Sequence, residues 1–105
     1  MLATREWLEQ EGAQTHSIQV LGSNNREQLK DHLSMIAKSV EIKNVFVYRT
    51  TAKDKPFLTV LYGSFPSREA AQEALDRLPA PLRAFKPYLR TVQGIREEMR
   101  RNNML

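Results

Sequence analysis

Lys55-Pro-Phe-Leu-Thr-Val-Leu-Tyr62, followed by Gly63-Ser-Phe65 and an alanine-rich run over residues 67–78, decides the fold of this chain. The first piece is rich in β-branched and aromatic residues and reads as a strand over residues 57–62. Gly63-Ser-Phe65 reads as a tight turn. Ser67, after Pro66, is placed to cap a helix, since its hydroxyl can accept from an unpaired N–H of the first turn. Ala71, Ala74, Leu75 and Leu78 fall on one stripe at helical spacing, and Pro79 stops the helix. The same succession of strand and helix occurs upstream. Residues 17–21 alternate, with Ile18 and Val20 on one side and Gln19 on the other. Gly22-Ser-Asn-Asn25 is a turn in which Asn24 and Glu27 form a capping box. Leu29, Leu33, Ile36, Ala37 and Val40 then make the buried stripe of a helix over residues 26–39.

The remaining elements fit around these two units. Thr4 caps a short helix that carries Trp7 and Leu8 and ends at Gly12. Residues 44–51 read as a strand, residues 52–55 as a polar hairpin loop and residues 79–86 as a loop with two prolines. Residues 87–91 form a short strand that begins with proline and therefore belongs at an edge. Val92, Ile95 and Met99 mark one side of a last helix, and residues 100–103 fray. The order β-α-β-β-α-β predicts an α+β, split-βαβ (RNP/ferredoxin-like) fold. It has a four-stranded antiparallel sheet with two helices on one face, plus short N-terminal and C-terminal helices. Residues 1–14 and 93–105 are helical extensions around a domain over residues 15–92.

The central hairpin assigns the faces. Thr50 pairs with Phe57, Tyr48 with Thr59 and Phe46 with Leu61, and paired residues share a face. Val45, Val47, Leu58 and Val60 then face the helices. Phe46, Tyr48, Phe57, Thr59 and Leu61 lie on the opposite face, which is expected to be open to water. Gln19 joins them from the first strand, and Tyr88 and Arg90 from the last. Aromatic rings there offer apolar faces to a sugar or a base, while amide and hydroxyl groups fix orientation.

Composition narrows the function. The 105 residues, 41% of them hydrophobic, suit one domain with a modest core. A net charge of +4 admits an anionic partner without demanding one. The absence of cysteine excludes disulfides, thiolate catalysis and cysteine-based zinc sites. No run approaches the roughly 20 apolar residues of a membrane span, and no signal-peptide pattern opens the chain. An anchor, if the parent has one, is expected outside this chain. No G-x-S-x-G, P-loop or H-E-x-x-H motif occurs. His16 starts a strand and His32 lies on the polar side of a helix, both as ordinary surface histidines. Every acid falls on a helix, a loop or the hairpin turn, so the open face is expected to lack a carboxylate. Glycoside hydrolysis needs two. The chain is therefore read as no enzyme, with no catalytic residue, no metal and no cofactor.

Two families use this topology with the sheet as a binding surface. The RNA-recognition motif carries stacking aromatics within K/R-G-F/Y-G/A-F-V-x-F/Y. Here that frame has Pro56 for the glycine and Thr59 for the central aromatic, and Gln19 stands in place of the first-strand aromatic. The chain instead resembles a SPOR (sporulation-related) domain over residues 15–92. The carriers are Ser17-Ile-Gln-Val-Leu-Gly-Ser23, Val47-Tyr-Arg-Thr-Thr51, Lys55-Pro-Phe57, Tyr62-Gly-Ser-Phe65, Ser67-Arg-Glu-Ala-Ala71, Leu78-Pro79 and Lys86-Pro-Tyr88. It looks most like the SPOR domains of division-associated membrane proteins, which also carry a helix after the last strand.

The resemblance implies binding of septal peptidoglycan, as glycan strands stripped of stem peptides, on the open sheet face. Gln19 matches the first-strand glutamine that contacts glycan, Phe57 a third-strand tryptophan, Thr59 a position that is arginine in some members, and Tyr88 the last-strand aromatic. Gly22 stands where a serine is common, with Ser23 beside it. Arg90 is the candidate counter-charge for a muramic carboxylate. The glycan site is thus expected at Gln19, Gly22, Ser23, Tyr48, Phe57, Thr59, Leu61, Tyr88 and Arg90. The implied setting is the periplasmic domain of an inner-membrane protein that localises to the division septum. It would act as a monomer, with other division proteins nearby, no nucleic-acid partner and membrane contact only through a segment outside this chain. The alternatives are a protein-docking module that uses the same face and, ranked below it, an RNA binder like the RNA-recognition motif.

Overall fold

The computed structural model describes residues 3–52 and 54–102. Residues 1–2, 53 and 103–105 of the expected extensions and hairpin loop lie outside it. The elements run α1 (Ala3–Gln10), β1 (His16–Ser23), α2 (Arg26–Ser39), a 3₁₀ turn (Ile42–Asn44), β2 (Val45–Ala52), β3 (Lys55–Phe65), α3 (Arg68–Asp76), α4 (Ala80–Arg83), β4 (Tyr88–Thr91) and α5 (Val92–Arg101). The four strands form one antiparallel sheet in the order β2-β3-β1-β4. This is the split-βαβ fold, with β2 and β4 at the edges.

The helices start where local chemistry provides acceptors. Asn25 caps α2, its side chain accepting from the Gln28 N–H at 3.0 Å. The cap is therefore one residue later than the Asn24 expected. Ser67 caps α3 by accepting from Ala70 N–H at 3.1 Å. Residues 79–86, expected as a loop, contain the single turn α4. Proline suits the first turn of a helix, whose N–H groups have no intrahelical partner. That turn brings Leu82 into full burial.

One face of the sheet packs on α2, α3 and α4. Ile18, Val20, Leu29, Ile36, Val45, Val60, Leu78 and Leu82 form this core, with Val47 and Leu58 packed against it. Each fully buried aliphatic side chain stabilises by about 1.5–3 kcal/mol. Ala37, expected on the α2 stripe, is exposed, and Met35 packs on the core instead. His32, expected on the polar side of α2, is half-buried and meets the Phe85 ring edge-on at 4.9 Å.

The hairpin register is the expected one, with Thr50 opposite Phe57, Tyr48 opposite Thr59 and Phe46 opposite Leu61. Pairing continues to Ala52 and Lys55, so the connection is two residues rather than four. Gly63-Ser-Phe65 is not a turn but a continuation of β3 through a bulge, where three steps on β3 oppose two on β1. Gly63 sits there at φ +82°, a conformation that favours glycine. A second irregularity lies in β1 between Gln19 and Leu21. Val20 and Leu21 both turn toward the helix layer, and the alternation resumes with Gly22 on the opposite face beside Thr59.

Candidate functional site: the second face of the sheet

The second face is not fully open. Trp7 and Leu8 of α1 and Val92, Ile95 and Met99 of α5 pack on Phe46, Tyr48 and Leu61 and form a second core. Two features of the sequence place α1 there. Thr4 does not cap the helix but lies inside it, buried, with its hydroxyl accepting from the Val47 N–H of the edge strand at 3.2 Å. Trp7 stacks on Phe46 and donates from Nε1 to Ser64 Oγ at 2.9 Å, and Ser64 donates to Glu11 Oε1 at 2.8 Å.

Helix α5 begins without a break from β4. Thr91 ends the strand and caps the helix, its hydroxyl accepting from Gly94 N–H at 3.0 Å. Val92 N–H donates to Thr15 O at 2.8 Å, so the helix starts at the β1–β4 end of the sheet. At its other end, Asn102 Oδ1 accepts from Thr51 N–H on β2 at 3.4 Å. A ten-residue helix is about 15 Å long, and β4 to β2 spans three interstrand gaps, about 14 Å. The helix therefore crosses the whole sheet on a diagonal. Arg96 ties it to α1 by donating from its guanidinium to the carbonyl oxygens of Leu8 and Glu11, at the C-terminal end of that helix.

The diagonal divides the expected site residues into a covered group and an accessible one. Leu61, Thr59 and Tyr48 are buried beneath the terminal helices, at 0%, 2% and 3% exposure. Gln19 and Phe57 are half-buried, Gly22 is exposed, and Tyr88 is 52% exposed directly opposite Gln19 on the neighbouring strand. The Phe57 ring lies over Gly22 so closely that a Cβ there would come within 2.6 Å of it. Ser23 is occupied locally, its Oγ accepting from Asn25 N–H at 3.0 Å in the turn into α2.

At the border between the two groups lies a network that the strands alone do not contain. Arg90 donates from one terminal nitrogen to Gln19 Oε1 at 2.6 Å and to the Tyr48 hydroxyl at 3.1 Å. Its other terminal nitrogen meets Glu98 Oε2 at 3.0 Å. The Tyr48 hydroxyl donates to the same carboxylate oxygen at 2.8 Å. Glu98 comes from α5, so the expectation that this face holds no carboxylate is corrected: the last helix delivers one. The Arg90 charge is already balanced by it. Burial, then the hydrogen bond to Glu98, pushes the Tyr48 phenol up to about 12, against the opposing charge of Arg90. Burial works against the Arg90 charge, but the Tyr48 and Glu98 oxygens outweigh it and hold the guanidinium above its ordinary value. Glu98 was hidden from sequence reasoning because it flanks, rather than belongs to, the Val92-Ile95-Met99 stripe.

The sheet, the helix layer beneath it and the partly covered second face define a small α+β module in which a strip of sheet is left uncovered. Residues 12–91 match the SPOR domain family, and the chain belongs to that family, whose members bind peptidoglycan. Over 71 residues it is 31% identical to the cell division protein DamX of Serratia marcescens, a match that covers 68% of this chain and 33% of that protein. The chain thus spans about a third of the length of this curated relative.

Proposed function

We propose that the chain is a non-catalytic module that binds denuded glycan strands of septal peptidoglycan on the strip of sheet left uncovered by α5. The contact surface is Tyr88, Gln19, Gly22 and Phe57, with Ser23 at its rim. Tyr48, Thr59, Leu61 and Arg90 form the layer that holds this surface in place. The observation that carries the reading is the exposed Tyr88 ring directly across from Gln19 in a chain of this family. A ring and an adjacent amide offer a sugar both an apolar stacking face and hydrogen bonds. The name of the relative, a cell division protein, supports the septal setting. In that setting the domain lies in the periplasm as part of an inner-membrane protein. A protein-docking role for the same face is less well supported, because its apolar part is already buried by α1 and α5.

The test is co-sedimentation with purified sacculi before and after an amidase removes the stem peptides. Binding that increases after amidase treatment and is lost in Tyr88→Ala and Gln19→Ala supports the reading. Equal binding by the double variant would move the site off this face. Failure of the wild-type domain to bind either preparation would abandon glycan as the ligand.

A further inference from the structure

We propose that Arg90 and Glu98 are positioning residues that fix the Gln19 amide with its NH2 free, so that the site favours a strong acceptor oxygen of the sugar, a carbonyl or carboxylate, over a hydroxyl. The inference rests on the glycan-binding reading above and goes beyond it to the chemistry of the recognised group. A guanidinium has donors and no acceptor. The Gln19 atom held at 2.6 Å by Arg90 must therefore be the carbonyl oxygen Oε1. The NH2 group is thereby turned away from Arg90 and has no acceptor among the described residues. Gln19 shares its face with the exposed Tyr88 ring opposite it. A group bound against that ring meets N–H donors and no amide acceptor.

An unanchored glutamine would lack this selectivity, since its amide can flip and offer either end. What prevents the flip is the rest of the network. Arg90 is itself held by Glu98 Oε2 at 3.0 Å, and Tyr48 donates to that same oxygen at 2.8 Å. Both charged side chains are largely withdrawn from water, at 19% and 27% exposure, so solvent competes weakly for these bonds. Glu98 belongs to α5, outside the matched residues 12–91. A helix beyond the family-matched segment thus completes the selectivity of the sheet. On a denuded strand, two groups carry oxygens that only accept: the acetamido carbonyl and the lactyl carboxylate. Hydroxyls accept too, but more weakly than a carboxylate or an amide carbonyl.

The experiment measures affinities of the domain for three soluble glycan strands: intact denuded, de-N-acetylated, and carboxyl-reduced. The wild type should bind one of the two modified strands roughly tenfold more weakly than the intact one, and the arm affected identifies the oxygen. Gln19→Glu keeps the shape and the bond to Arg90 but removes the donors. It should lose about the same factor on the intact strand and nothing further on the modified one. Arg90→Met and Glu98→Ala should shrink the ratio between intact and modified strands toward one, whereas Glu98→Gln, which retains an acceptor for Arg90 and Tyr48, should preserve it. The ratio compares ligands on the same folded molecules, so a loss of stability alone does not move it. Equal wild-type binding to all three strands, or an undiminished ratio in Arg90→Met, would overturn the proposal while leaving glycan binding intact. No wild-type binding to the intact strand would overturn the functional reading itself.

Discussion

Trp7 lies flat on Phe46, with ring centroids 4.3 Å apart and planes inclined by 10°. This stack joins the N-terminal helix to the edge strand of the sheet and closes one end of the second core. Trp7→Ala removes the stack, the buried indole surface and the Nε1 bond to Ser64. Truncations of this size in a core cost about 3–5 kcal/mol. Urea unfolding followed by circular dichroism should show the midpoint fall accordingly. Since Trp7 is the only tryptophan, its fluorescence in the wild type reports α1 directly. Undocking of α1 before the sheet melts would appear as a fluorescence change that precedes the circular-dichroism change. A Trp7→Ala midpoint equal to that of the wild type would mean that α1 contributes nothing to the core.

The Tyr48 phenol, pushed up to about 12 by burial and by Glu98, makes a prediction about alkaline pH. In the unfolded chain a tyrosine ionises near 10. The folded state holds the proton more tightly, so its contribution is complete below pH 10 and is lost as pH rises from 10 to about 12. Two pKa units correspond to about 3 kcal/mol. The wild type should therefore lose stability steeply across this window, and Tyr48→Phe should show a shallower decline from a lower starting point. Parallel stability curves for the two proteins would refute the assignment.

Much of this arrangement was legible in the sequence. The alternation of residues 45–51 and 57–61 fixed both the hairpin register and the division of side chains between faces, because a one-residue slip would have turned Val45 and Val60 out of the core. The amphipathic stripe Val92-Ile95-Met99 announced that α5 needed an apolar partner. What the stripe could not specify was which surface it would meet, since that depends on the direction in which the chain leaves β4. Thr91 sets that direction by serving as the last strand residue and the cap at once. The consequence was large for the site: Leu61, Thr59 and Tyr48 passed from an expected binding surface into a buried layer, and Glu98 arrived from outside the strands. The bulge at Val20–Leu21 was equally hidden, because Leu21 fits the alternation of either register until the partner strand is known. Gly22, whose face depends on that bulge, could be placed only from the pairing with Thr59.

Arg96 joins the two covering helices, and its loss should separate them. Its guanidinium satisfies carbonyl oxygens of Leu8 and Glu11, where the end of α1 leaves acceptors without intrahelical partners. Hydrogen bonds to a charged group contribute about 1.5–3 kcal/mol. Arg96→Met retains much of the aliphatic stem and removes the donors, so a loss of about 2 kcal/mol is expected from chemical denaturation. Arg96→Lys should recover only part of it, since one ammonium cannot match the forked geometry that reaches two carbonyls. Amide exchange in α1 provides the second readout: protection over Glu6 to Glu11 should fall in Arg96→Met while that of β1 and β3 is retained. Uniform loss of protection across the sheet would instead make Arg96 a global stabiliser.

Gly22 offers a way to separate the proposed binding from stability. A methyl group there would meet the Phe57 ring at 2.6 Å, too close for the present arrangement. The obstructing atoms are at the far end of a half-buried side chain on the open part of the face, not backbone. The ring can therefore swing outward, and the cost to the fold should stay within about 1 kcal/mol, the low end of overpacking. The proposed glycan strip would not escape so lightly, because the ring that rises from Gly22 projects into it between Gln19 and the hairpin. Gly22→Ala should thus melt close to the wild type yet pellet with amidase-treated sacculi much less completely. Gly22→Ala combined with Phe57→Ala removes the obstruction, and it tells two causes apart. If binding returns in the double variant, the displaced ring was blocking the strip. If it does not, the Phe57 ring itself is a contact surface for the glycan, and the close packing on Gly22 is what holds it flat.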